Sequence, residues 1–185
     1  MNREIQTRLM KEKVIESAIQ EFNEHGYEES SLNHVCKIGE ISKGIIYHYF
    51  KDKDDLYLAC VKECYGELLK YYMNYMKESD EEINMHSLIK IRMLFFRDYS
   101  KFRGLFFHSI LNTPIHLQEK VRIVGEALNA FYRKVYIDYL QGIDLRVTQD
   151  NALLYLDFFQ NAYNEYFRNQ SIKCNDFDEL IEHHE

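Results

Sequence analysis

The sequence predicts an all-α protein: a three-helix N-terminal head with a helix-turn-helix, joined by a long fourth helix to a larger helical body. Three observations carry this reading. One proline and seven glycines among 185 residues leave long stretches without a helix breaker. Apolar residues recur three and four positions apart through most of the chain. Finally, residues 30–50 read as a two-turn helical pattern, a three-residue break and a second helical pattern, the spacing that lodges a second helix in a major groove.

Taken in order, Ile5, Leu9, Val14, Ile15, Ala18, Ile19 and Phe22 recur with helical period, predicting an amphipathic helix over about residues 3 to 25 that Gly26 ends. Ser30 and Ser31 can cap a short helix running through Leu32, Val35 and Cys36 to about Ile38. Gly39-Glu40-Ile41 then forms a tight break. Ser42 offers a capping hydroxyl to a helix whose Ile45, Ile46 and Tyr49 leave Lys43, Gly44, Tyr47 and His48 largely on other faces. Gly44 is about 1 kcal/mol worse than alanine inside a helix, so either something approaches the backbone closely there or the helix tolerates it.

Beyond the head, Leu56, Cys60, Cys64, Leu68, Tyr72 and Tyr75 describe one long helix from Lys53 to about Ser79, where Ser79-Asp80-Glu81-Glu82 breaks it. Leu88, Ile91, Phe95 and Tyr99 mark the next helix. Arg103 to Leu111 form a shorter one, stopped at Asn112-Thr113-Pro114 because the residue before a proline is driven out of helical geometry. Leu117, Val121, Val124, Leu128, Phe131, Val135 and Tyr139 predict a single helix of about six turns, closed by Gly142. Ala152, Tyr155, Phe159, Ala162, Tyr163 and Tyr166 predict another from about Thr148 to Arg168. A last one begins near Asn175 with Phe177, Leu180 and Ile181.

Gly26-Tyr27-x-x-Ser30-Ser31-Leu32-x-x-Val35-Cys36, then Ile41-Ser42-Lys43-Gly44-Ile45-Ile46-Tyr47-His48-Tyr49-Phe50, then Lys53-Asp54-Asp55-Leu56, together resemble the DNA-binding domain of TetR-type transcriptional regulators. The match covers residues 5 to 65, about a third of the chain. The resemblance implies a DNA-binding head over residues 1–52 and a ligand-binding and dimerisation body over 53–185. It further implies that Tyr47 and His48 reach the DNA backbone, that Lys53 meets a phosphate, that Lys43, Gly44 and Ile45 lie nearest the bases, and that Ser31 opens the phosphate-facing start of the second helix. In such proteins the last two helices build a four-helix dimer interface. Here these are the helix after Thr148 and the one near Asn175, and the latter stops at Glu185, so either the dimer handle is abbreviated or the native chain is longer. One departure concerns the turn, where the family's usual glycine is Glu40. A positive φ at that position strains any residue but glycine, and repulsion from phosphates turns the carboxylate away or pairs it with Lys37 or Lys43.

A net charge of −7 sits badly with nucleic acid. Residues 1–55 hold eight Lys and Arg against eleven Asp and Glu, so the head as a whole is acidic. Between Lys37 and Lys53, however, four lysines face only Glu40 and Asp52. Attraction to phosphate has to come from that local patch, doubled in a homodimer, with affinity sensitive to salt.

Cys36, Cys60, Cys64 and Cys174 read as reduced thiols. Cys60 and Cys64 lie one turn apart on the apolar stripe, where a core role outweighs a thiol sensor or a metal pair because no third or fourth ligand is close in sequence. The histidines are scattered, with His183 and His184 at the end as a tail or cloning remnant. No metal and no cofactor is expected. Nor is an enzyme, because no nucleophile has an adjacent base and no glycine loop cradles a phosphate. No apolar run is long enough to span a membrane and no signal region precedes Arg3-Glu4, so the chain is expected to be cytoplasmic.

Of 27 Phe and Tyr residues, 21 follow Cys64, which concentrates the aromatic surface in the body. Tyr72, Tyr75, Phe95, Phe96, Phe106, Phe107, His108, Phe131, Phe159 and Tyr163 are candidates for lining a small-molecule pocket, although most aromatics at helical spacing are core. The leading expectation is a repressor whose homodimer reads a near-palindromic operator on double-stranded DNA and is released by a small apolar or aromatic effector. The alternative is a helix-turn-helix interaction protein controlled by a protein partner or by no ligand.

Overall fold

The computed structural model describes residues 3–78 and 84–143, together with Thr148 and Leu154. Within them lie eight α-helices: α1 (Arg3–Glu29), α2 (Leu32–Ile38), α3 (Lys43–Tyr49), α4 (Lys53–Glu78), α5 (Met85–Asp98), α6 (Arg103–Leu111), α7 (Ile115–Val124) and α8 (Glu126–Ile143), with a 3-10 turn over Ser100–Phe102. The described residues include no strand, and the all-α expectation holds. No helix among them is long and apolar enough to cross a membrane. The expected helices after Thr148 and near Asn175, the break at Ser79–Glu82, and Cys174, Phe159, Tyr163, His183 and His184 fall outside the described residues.

The chain forms two compact units. The first comprises residues 1–66 and 99–125, because α6 and the 3-10 turn pack on α1 as closely as α2 and α3 do. Its core is built from Val14, Ala18, Ile19 and Phe22 of α1, Val35 of α2, Ile46 and Phe50 around α3, Leu56, Tyr57, Cys60, Val61 and Cys64 of α4, and Leu105 and Phe106 of α6, all buried. Rings interlock by their edges: Phe22 lies 5.0 Å from Tyr57 and Tyr65 lies 5.7 Å from Phe106. Each buried aliphatic or aromatic side chain of this kind adds about 1.5–3 kcal/mol.

Four expectations are corrected here. Ile5 and Leu9 continue the apolar period of α1 yet are 43% and 46% exposed, because burial in α1 begins only at Val14. The helix does not stop at Gly26 in a simple end; Gly26 sits at φ +66°, ψ −166°, and helical turns resume to Glu29. That kink suits glycine alone, since positive φ costs other residues about 1–2 kcal/mol. The predicted single helix from Leu117 to Tyr139 is two helices broken at Gly125. Its N–H caps the carbonyls of Ile123 and Val121, and a Cβ there would lie 2.8 Å from Cε2 of Tyr65. The close approach of that ring, which no periodicity reveals, leaves no room for a side chain at the break. Ser42, lastly, stands at the cap position of α3 without accepting a side-chain hydrogen bond.

Cys60 and Cys64 are buried, their thiols pointing at the carbonyls of Ile15 and Phe102 at 3.8 Å. Burial pushes both well above the ordinary thiol range, so neither is a ready thiolate.

The second unit takes residues 67–98 and 126–185. There Tyr72, fully buried, donates from its hydroxyl to the carbonyl of Leu88 at 2.8 Å and lies 5.1 Å from the Phe131 ring. Phe95 and Phe96 are buried 5.2 Å apart, and the Tyr71 hydroxyl donates to Asp98 at 2.7 Å.

Candidate nucleic-acid interface

The two helices of the expected helix-turn-helix are each seven residues long, too short to stand alone, and both are held from outside. The N-terminus of α2 is capped by Ser31, whose Oγ accepts the His34 N–H at 3.1 Å. The N–H of Ser31 itself is taken by Oε1 of Glu21 at 2.9 Å. Glu21 is 2% exposed and comes from α1, ten residues upstream, a support that local pattern does not announce.

The turn runs Gly39-Glu40-Ile41, with the Glu40 and Ile41 N–H groups donating to the carbonyls of Lys37 and Cys36 at 3.3 and 3.0 Å. Glu40 has φ 48°, the only positive φ on a non-glycine residue among the described residues, so the condition for strain at this turn is met. Its side chain is exposed, and no ion pair joins it to Lys37 or Lys43 among the described residues.

On α3, Ile46 is fully buried and Phe50, at its end, is 4% exposed; these two anchor the helix. Tyr49 adds a tie, its hydroxyl donating to the carbonyl of Thr7 at 3.1 Å, and the Lys11 ammonium lies 5.5 Å from the Phe50 ring. Lys43, Gly44, Tyr47 and His48 are exposed, Tyr47 by 54%, and Ile45 is half-buried. A Cβ on Gly44 would meet Ser42 Oγ at 3.7 Å, ordinary contact, so nothing among the described residues requires glycine there. The anchored and open faces of α3 thus divide as the sequence pattern predicted.

Lys53 begins α4 less freely than the others. It is half-buried, its ammonium 4.4 Å from the Tyr27 ring, and burial lowers its pKa first, against Glu28, Glu21 and Asp54, which raise it. The first turn of α4 is capped by two carboxylates: Asp52 accepts the Asp55 N–H at 2.9 Å, and Asp55 accepts the Lys51 N–H at 3.1 Å. Asp52-x-x-Asp55 is a legible local signal for that cap. Tyr27 Oη donates to Asp54, whose other oxygen is 3.3 Å from Nε2 of His116.

The residues expected to line a pocket do not all share one unit. Tyr72, Tyr75, Phe95, Phe96 and Phe131 belong to the second unit, whereas Phe106, Phe107 and His108 belong to the first. In the first unit, Phe106 and Phe107 rings lie 5.5 Å apart and burial lowers the pKa of His108. A cleft of about 450 Å³ in that unit is lined instead by Lys13, Glu16, Ser17, Asn23, Gly39 and Lys101 among others, without an aromatic ring.

Residues 14–60 match the family model described as bacterial regulatory proteins, tetR family. The chain is similar to the negative transcriptional regulator IcaR of the biofilm operon icaADBC. It is 21% identical to the Staphylococcus epidermidis protein over 164 residues, covering 85% of this chain and 87% of that one. It is 25% identical to the Staphylococcus aureus protein over 155 residues, covering 83% and 82%. Among solved structures it is similar to the transcriptional regulator FadR from Bacillus subtilis in complex with stearoyl-CoA, with a TM-score of 0.67 and 15% identity over 92% of this chain and 97% of that one.

Proposed function

Because the chain belongs to the TetR family of bacterial transcriptional regulators, we propose that it is a repressor whose homodimer grips a near-palindromic operator and lets go when a small apolar or aromatic effector enters the body. The observation that carries the DNA half of this reading is the division of α3: Ile46 and Phe50 are buried while Lys43, Gly44, Tyr47 and His48 are exposed on seven residues. A helix so held presents one face only. Lys43, Gly44 and Ile45 at its first turn read base edges, Tyr47 and His48 contact the backbone, Ser31 offers the start of α2 to a phosphate, and Lys53 supplies a charge at the start of α4.

Repression is favoured by the likeness to IcaR, a negative regulator. An apolar effector is favoured by the likeness to FadR in complex with stearoyl-CoA and by the ring pairs Tyr72–Phe131 and Phe95–Phe96 in the second unit. Release then follows from population shift. Two heads dock together only if their reading helices are about 34 Å apart or a multiple of it, so an effector that binds better to another head spacing lowers operator affinity.

Fluorescence anisotropy on the DNA upstream of the chain's own gene tests the assignment. Lys43→Ala and Tyr47→Ala are each expected to weaken binding about tenfold, the value of one good contact, with helicity and melting temperature kept. Unchanged affinity in both would overturn the placement of the reading helix. Adding fatty acyl or aromatic compounds to the complex tests the second half: the expected result is loss of anisotropy together with a raised melting temperature of the free protein. A library that moves neither quantity would leave a regulator without a small-molecule effector.

A further inference from the structure

Where α1 meets α2, Glu21, His25 and His34 converge. His25 follows Glu21 by one turn of α1, which sets both on one face. His34 comes from the first turn of α2, its own N–H fixed by Ser31. Nδ1 of His34 lies 3.0 Å from Oε2 of Glu21, and Nε2 of His25 lies 3.9 Å from the same oxygen. The two imidazole rings are 5.9 Å apart and tilted by 33°. One ligand atom from each residue falls within 4.8 Å of the other two.

We propose that these three side chains form a binding site for a transition-metal dication of the zinc, cobalt or nickel class, with solvent completing the coordination. Two imidazoles and one carboxylate are a borderline donor set, suited to such ions and poor for magnesium or calcium, which want oxygen. A tetrahedral ion with bonds of about 2.0–2.1 Å separates its ligand atoms by about 3.3 Å, so the site closes by ring movements on the order of 1 Å. The histidines have the freedom for this, with side chains 31% and 53% exposed, while the carboxylate is 2% exposed and already aimed. Its aim comes from behind: Oε1 accepts the Ser31 N–H at 2.9 Å, the kind of outer hydrogen bond that orients a metal-ligating carboxylate. The exposed histidine side gives an entry path. A bound ion clamps α2 to α1 beside Ser31 and so stabilises the head whether or not DNA is present.

The competing occupant of the gap is a proton shared between Glu21 and the imidazoles, and the two are separable. Full-length protein is stripped with chelator and titrated with zinc and with cobalt(II), following calorimetric heat, cobalt visible absorption and melting temperature. The expected result is one ion per chain at this site, and a melting temperature raised by roughly 5–10 °C at a hundredfold excess over the dissociation constant. Glu21→Gln is a poor probe because it also disturbs the Ser31 hydrogen bond. His25→Gln and His34→Gln leave that bond intact, and each is expected to lower affinity at least tenfold; His34→Gln also costs the stripped protein its 3.0 Å contact to Glu21, so its melting temperature is compared with and without metal. A His183→Gln, His184→Gln double variant is expected to keep the site and remove any binding by the terminal pair. Equal affinity and stoichiometry in the His25→Gln, His34→Gln double variant, or a wild-type melting temperature indifferent to metal, would overturn the proposal.

Discussion

Tyr27 and Asp54 join the turn after the kink of α1 to the first turn of α4, the phenol donating to one carboxylate oxygen while His116 stands 3.3 Å from the other. The pair sits directly behind Lys53, whose ammonium rests on the Tyr27 ring. Hydrogen bonding from Tyr27, then His116, holds the Asp54 carboxyl below the usual range, and burial with Asp54 beside it raises the Tyr27 phenol.

Tyr27→Phe is therefore expected to lower stability by about 1.5–3 kcal/mol at neutral pH in urea denaturation, the value of a hydrogen bond to a charged acceptor. A carboxyl whose folded pKa is depressed contributes stability above its unfolded value, near 4, and loses it as pH falls through the folded value. The gap between wild type and Tyr27→Phe should accordingly narrow below about pH 4. A gap that persists undiminished at pH 2 would show that the hydrogen bond does not act through the Asp54 charge.

Glu40 provides a test of strain separated from charge. Glu40→Gly relieves the positive φ and should raise stability by about 0.5–1 kcal/mol, part of the relief being offset by a freer unfolded chain. Glu40→Ala keeps the strain but removes a carboxylate next to α3, so it should tighten operator binding without raising the melting temperature. If alanine stabilises as much as glycine, the backbone at this turn is not strained.

Gly125→Ala is expected to cost about 1–3 kcal/mol, because the new methyl meets the ring of Tyr65, which is fixed by Phe106 and by a 2.8 Å hydrogen bond to Ser109. A second change, Tyr65→Leu, makes room for that methyl. The double variant should then be less destabilised than the sum of the two single variants, and strict additivity would argue against a clash between methyl and ring.

Salt offers the most direct reading of the basic patch. With Lys53 proposed to meet a phosphate, Lys53→Ala should reduce the slope of log affinity against log salt by about 1, alongside the weaker binding itself. An unaltered slope would mean that Lys53 contributes without meeting a phosphate.

The helices of the head were legible because their signals are local. Ser31 caps α2 and Leu32–Ile38 and Lys43–Tyr49 fall within a residue of the expected bounds, since capping residues, a short break and apolar period all act within one turn. What stayed hidden depends on partners remote in sequence. Gly125 interrupts the apolar period at a place where Tyr65, sixty residues earlier, leaves no room for a side chain. Ile5 and Leu9 keep the period of α1 but lie exposed, and periodicity cannot say where a helix outruns its neighbours. Glu21, His25 and His34 looked scattered because the histidines lie on different helices and only the α1–α2 corner brings them together. The described residues among the aromatic pocket candidates divide between the two units.

Seven residues with only Ile46 wholly buried make α3 a helix that exists by loan from its surroundings. Its readiness to dock is thus a fraction, set by how firmly Ile46 and Phe50 stay seated, and observed affinity is the intrinsic one scaled by that fraction. Genes under this regulator would then be tuned by mutations that never face DNA. If the chain represses as proposed, a slightly looser core beneath α3 acts on transcription as a smaller dose of repressor would.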